Sequence, residues 1–375
     1  MATPPSMNTT DHKKQSLGER VRDFVQTIIS PEFWRDIRRD FKDIYTFYID
    51  EETRQQLAKL GFIRRSFKIA LRILAALYSK LTPARKALLV LSIILFLFPR
   101  TGWDENGTSL VVTWAPLGFT ILLFILLLEL KDKLLAKDEL RAGHSVQEAL
   151  MPRDTPTLEG WDFWLSTVPA NDVGGDLVDY LKTGSTELDL TLADVAGKGL
   201  GAALMAAKIQ AILRAIAPEC PTLTEMAGKV NAILCRDGVP SRFVTLAYAR
   251  LKSGSATARI LNAGHLPPLI LRSTTIEHLP RVAPAIGLTD QAQFIEQEIT
   301  LSSGDYLIFV SDGVLEARSE QDAFFGEDRF HRLLERSRGL SAESLGNDIL
   351  RKVSEFTGHA SRSDDISLVI ARKIQ

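Results

Sequence analysis

The chain has 375 residues, with 45 Lys+Arg against 46 Asp+Glu and 45% hydrophobic residues, a size that suits one large core or two domains and excludes neither. Charge is unevenly spread: 17 Lys+Arg stand against 10 Asp+Glu up to Lys86, and 28 against 36 beyond it. A basic front therefore precedes an acidic body, which lacks the basic track that nucleic acid would need.

The first twenty residues are polar and carry no apolar run of the signal-peptide kind. Ser16-Leu-Gly-Glu19 resembles a capping box, and Leu17, Val21, Phe24, Val25, Ile28 and Ile29 then recur at helical spacing. A second helix is expected over 56–77, with Arg65, Lys68 and Arg72 on one stripe, suited to an anionic membrane surface or to a small bundle. Residues 1–86 thus read as a helical basic region.

Ala87 to Phe98 is apolar apart from Ser92, and Leu110 to Leu128 is apolar again, with a polar stretch from Pro99 to Ser109 that suits a tight turn. Together 87–128 read as a transmembrane hairpin. No acidic residue occurs between Glu52 and Asp104, while Lys131, Lys133 and Lys137 follow the second span. Both ends are therefore expected on the cytoplasmic side of the inner membrane. Residues 129–150 read as a charged linker or signalling helix, ended by Met151-Pro152.

From Trp161 the chain changes character. Strand-like runs fall at 161–168, 177–181, 187–194, 243–251, 256–261, 294–301, 305–310 and 366–371, and helices at 201–217, 223–235, 327–337 and 341–357. Strand clusters with helix pairs between them predict stacked antiparallel sheets flanked by helices, an α+β fold over 151–375. Cys220 and Cys235 have neither a CxxC partner nor a His cluster and read as reduced core residues of a cytosolic body.

Several aspartates stand where these strands meet turns: Asp176 after Gly174-Gly175, Asp194 after the alternating Leu188, Leu190 and Leu192, Asp312 after Tyr306–Val310, and Asp364-Asp365 before Ile366. Carboxylates at several sheet rims can assemble an all-oxygen pocket for hard divalent cations, with the carbonyl of Val195 as a further ligand, and so predict metal-assisted hydrolysis. The loop Ala196–Gly201 lacks the GxxxxGK spacing of a nucleotide site, and Lys198 reads as a solvated lysine. The six histidines show no HExxH or His-rich ligand spacing, and His265 reads as a structural turn residue.

In order, Pro169–Asp176, Ala193–Gly199, Asn262–Pro268, Ser311–Ala317 and Asp364–Ser367 resemble the metal-dependent PPM protein phosphatases (protein phosphatase 2C-like), in their SpoIIE/RsbU-like branch. The resemblance runs from about Leu140 to the C-terminus. It implies a four-layer α-β-β-α sandwich of two antiparallel sheets and two Mn²⁺ or Mg²⁺ ions. Asp194 would bridge the ions, Val195 would lend its carbonyl, Asp312 and Asp364 would complete one shell, and Asp176 would serve the second ion. These residues would support attack of an activated water on phosphoserine or phosphothreonine of a regulatory protein, of the anti-sigma-factor antagonist kind. Ala193 stands where many relatives have Gly, and no residue matches the family's general acid. A homodimer through the linker helix fits the same pattern, and the rival reading is an inactive, membrane-tethered phosphoprotein-binding scaffold.

Overall fold

The computed structural model describes residues 22, 26, 30, 33–35, 61–97, 100–105, 108–152, 154–237, 242–280 and 283–374. Of the expected helix at Ser16–Ile29, only Arg22 and Gln26 lie inside this set, and both are helical. Two compact units divide the chain, Met1–Asp132 and Lys133–Gln375.

The first unit contains α1 (Phe62–Lys80), α2 (Pro83–Leu97), a hairpin of β1 (Arg100–Glu105) and β2 (Thr108–Thr113), and the start of α3 (Ala115–Leu150). This corrects the expected tight turn over Pro99–Ser109. Leu110 to Thr113 extends as strand rather than helix, because the β-branched Val111, Val112 and Thr113 favour a ladder over a helical turn. Helices α2 and α3 approach closely where Ser92 Oγ donates to the Gly118 carbonyl at 2.9 Å. A Cβ on Gly118 would sit 2.9 Å from the Ser92 carbonyl, so only glycine admits this approach. Arg85 ties the other end, donating to Glu129 at 2.7 Å and to Asp132 at 2.6 Å.

The second unit is built on two five-stranded antiparallel sheets. The first has the order β10-β7-β6-β5-β4, from β4 (Asp176–Lys182), β5 (Glu187–Val195), β6 (Val244–Lys252), β7 (Thr257–Ala263) and β10 (Glu296–Thr300). The second has the order β3-β12-β11-β8-β9, from β3 (Trp161–Val168), β8 (Leu269–Leu271), β9 (Ile276–His278), β11 (Tyr306–Val310) and β12 (Ile366–Lys373). The sequence pattern misses β8 and β9, whose three residues each are too few to display a period.

Alternation along each strand sorts side chains into three cores. Leu188, Leu190 and Leu192 of β5 meet Leu307 and Phe309 of β11 between the sheets. Ala193 and Val195, on the opposite face, pack under α4 (Leu200–Ile216) and α5 (Leu223–Asp237). Tyr306, Ile308 and Val310 pack under α7 (Glu327–Arg336) and α8 (Ala342–Thr357). The result is the expected α-β-β-α order of layers, and burial of both sheet faces explains why Tyr306–Val310 is apolar without interruption.

Cys220 is buried as expected. Cys235 is exposed instead, since it sits near the end of α5 beyond the last core-facing residue, Leu234. The one helix long and apolar enough to suggest a span among the described residues, Leu200–Glu219, is largely α4, whose core face carries Ala202, Ala206, Ile209 and Leu213.

Candidate functional site

Antiparallel pairing sets Asp176, the first residue of β4, directly opposite Asp194 near the end of β5. Two carboxylates in register repel each other, so a fold that keeps them must offset the charge. In the second sheet the end of β11 lies beside the start of β12, with Val310 opposite Leu368. The same rim therefore carries Asp312 and Asp364. Asp312 opens the short helix α6 (Asp312–Leu315), with Ser311 as its N-cap, rather than a plain turn. Strand β12 packs on β4 and β5, which brings the two rims together.

Asp365 locks this junction. Its Oδ1 accepts from the Ala170 N–H at 2.8 Å, and its Oδ2 accepts from the N–H groups of Gly175 at 2.7 Å and Asp176 at 3.4 Å. A Cβ on Gly174 would lie 2.5 Å from Asp365 Oδ2, and one on Gly313 would collide with the Asp365 carbonyl. The Gly174-Gly175 pair is thus a site of close approach as well as a turn. The Val195 carbonyl faces the same loop, 3.3 Å from where a Gly175 Cβ would stand.

Electrostatics follow from this crowding. Burial, then the Asp194 charge, push the Asp176 carboxyl well above its ordinary range, with the Ser367 and Ser311 hydroxyls offsetting part of the shift. Asp194 is pushed up to about 6 by burial and by Asp312, Asp364 and Asp365. Asp312 is raised by burial and by the charge of Asp364. Lys198 is exposed, in keeping with a solvated lysine, and its Nζ also donates to Asp364 Oδ2 at 2.9 Å and to the Ser363 carbonyl at 2.7 Å. Gly197 and Gly199, with φ of 113° and 73°, turn the chain sharply enough to present this lysine.

The donor set is all oxygen, as Mg²⁺ or Mn²⁺ requires. Asp176 Oδ2 is buried without a hydrogen-bond partner, and an orphaned carboxylate oxygen of this kind is costly unless a cation meets it. Among the described residues, no three of these aspartates place oxygens within 4.8 Å of one another. Asp176, Asp194, Asp312 and Asp364 thus lie at one rim with the Val195 carbonyl nearby, an all-oxygen donor set of the kind hard divalent cations take.

Sequence reasoning missed Asp365 as the residue that positions this loop; the paired acids Asp364-Asp365 were the available signal. Gln147 was missed too. Its amide donates to the Gly174 carbonyl at 2.8 Å and accepts from the Gly174 N–H at 3.1 Å, joining α3 to the loop before Asp176. A cavity of about 340 Å³ lies there, lined in part by His144, Gln147, Thr167, Gly174 and Asp176. His265 is structural as expected, buried and hydrogen-bonded through Nδ1 to Thr245 Oγ1 at 2.9 Å.

Comparison with known proteins places relatives over much of the second unit. Protein IcfG of Synechocystis sp. is 29% identical over 262 residues, which cover 62% of this chain and 41% of IcfG. The chain thus spans about two fifths of that relative's length. Phosphoserine phosphatase RsbU of Bacillus subtilis is 25% identical over 242 residues, covering 63% of this chain and 70% of RsbU. Two solved structures share the fold. The SiaA-PP2C domain of Pseudomonas aeruginosa matches with a TM-score of 0.57 at 19% identity, covering 65% of this chain and 99% of that domain. The RsbU and RsbW domains of Rv1364c from Mycobacterium tuberculosis match with a TM-score of 0.53 at 23% identity, covering 60% of this chain and 63% of that one. The model of the family described as Stage II sporulation protein E (SpoIIE) matches residues 184–373, half of the chain, and the chain belongs to that family.

Proposed function

We propose that this chain is a metal-dependent protein serine/threonine phosphatase acting on phosphoserine or phosphothreonine of a regulatory protein, of the anti-sigma-factor antagonist kind. The observation that carries the reading is the opposition of Asp176 and Asp194 at a rim that also receives Asp312 and Asp364. The name of the relative RsbU, a phosphoserine phosphatase, supports it.

Asp176, Asp194, Asp312 and Asp364, with the Val195 carbonyl, would hold two Mn²⁺ or Mg²⁺ ions. Such ions supply an acidified water and positive charge against the phosphoryl oxygens. The chain's own residues do the positioning. Asp365 holds the Gly175 and Asp176 amides and so fixes where the Asp176 carboxylate points. Lys198, exposed and paired to Asp364, is a cation beside the site that can turn toward an anionic substrate.

The test is release of phosphate from an aryl phosphate by the full chain with Mn²⁺, compared with Asp194→Asn and Asp312→Asn. Each variant should lose more than about a hundredfold in rate, since even outer-shell partners of a metal are worth roughly 10–100-fold. Equal rates in all three reject the site. A chain that binds a phosphoprotein but hydrolyses nothing with either ion would instead support the scaffold reading.

Membrane attachment of the basic N-terminal region, with the phosphatase in the cytoplasm and a homodimer formed through α3, belongs to the same proposal. Its support is the row of exposed apolar side chains on α2 and α3, among them Ile94, Phe96, Phe119, Leu123 and Phe124.

A further inference from the structure

Away from the aspartate centre, two imidazoles and a carboxylate converge on one point. His278 ends β9, the edge strand of the second sheet, which pairs only with β8. Glu327 opens α7, and His331 follows at i+4, so both leave the same face of that helix. The Nε2 atoms of His278 and His331 lie 3.1 Å apart, and Glu327 Oε1 stands 3.7 Å from each of them. The two rings meet edge to face at 68° rather than stacking. All three side chains are reachable from solvent.

A histidine-to-histidine hydrogen bond accounts for the 3.1 Å contact alone. It leaves the Glu327 oxygen beyond hydrogen-bonding reach of both rings. A tetrahedral cation accounts for all three separations, because bonds of about 2.0–2.1 Å place ligand atoms roughly 3.3–3.4 Å apart, and the observed separations straddle that value. Donor chemistry names the ion class. Two imidazoles and one carboxylate favour a borderline transition ion, Zn²⁺ first, whereas the aspartate centre offers only hard oxygens.

We propose that His278, Glu327 and His331 form a second, chemically distinct metal site that takes Zn²⁺. It pins α7 to the edge strand β9, and its fourth position is open to water or another ligand. The sequence conceals it: the i, i+4 pair Glu327/His331 is ordinary by itself, and His278 lies 53 residues from His331.

The test is calorimetric titration of the full chain with ZnCl₂ in saturating Mg²⁺, which occupies the oxygen centre, for wild type, His278→Ala, His331→Ala and Asp194→Asn. Zn²⁺ should bind wild type and Asp194→Asn alike and bind both histidine variants at least about tenfold more weakly, the minimum expected for losing a direct ligand. Absence of binding to wild type, unchanged affinity in the histidine variants, or loss of binding in Asp194→Asn would each overturn the proposal. A readout that needs no substitution uses the imidazole NMR signals of the wild-type chain. Among its six histidines, Zn²⁺ should displace those of His278 and His331, and unmoved signals overturn the site whether or not the variants fold.

Discussion

Asp176 and Asp194 face each other across a strand pair and both resist ionisation, so the metal-free centre stores electrostatic cost. The sign of the resulting pH dependence follows from Asp194. Its carboxyl rises from an ordinary 3.8 to about 6 on folding, so the folded, metal-free chain holds that proton more tightly than the unfolded chain. The associated stability is fully present below 3.8 and is lost as pH rises through 6, an effect on the order of 3 kcal/mol. Melting of the chelated protein between pH 4 and 7 should therefore show a decrement that is smaller in Asp194→Asn, where the raised Asp176 and Asp312 remain, and that saturating Mn²⁺ removes. Identical profiles for wild type and variant would contradict this. Asp194 and Asp312 are legible in sequence because alternating or continuous apolar runs lead straight into them. Asp365 is not, because its partners are backbone amides up to 195 residues away, and only the fold brings Ala170 and Gly175 to it.

At the scale of elements, the strands of the second unit are legible wherever five or more residues show a period, and β8 and β9 escape for want of length. The segment 99–113 is misread for a different reason: Leu110, Val111 and Val112 continue the apolarity of α3, so composition merges them with the helix while the β-branching of Val111 and Val112 favours pairing with β1. Helix α2 has 15 residues, about 22 Å at 1.5 Å per residue, short of the ~30 Å of a bilayer core. The helix pair is nevertheless joined as membrane helices are, through Ser92 and Gly118, with the charged Arg85–Glu129–Asp132 cluster at one end. In a vesicle flotation assay the full chain should float with lipid and remain there in high salt, as apolar insertion requires. Release by salt would reduce the attachment to the basic face of α1.

For the whole molecule, the layered sandwich explains why acids so far apart in sequence lie together. Burial of both faces of each sheet leaves the strand ends as the place where polar groups survive, and the packing of β12 on β4 and β5 turns two such rims into one centre. Gln147, in the last turns of α3, is tied by two hydrogen bonds to the glycine loop before Asp176. All of this rests on the aspartates acting as a cation trap. Calorimetric titration of the full chain with Mn²⁺, beside Asp194→Asn, tests that most directly: wild type should take up two ions and the variant should lose this binding, whereas equal uptake, or none by wild type, would contradict it.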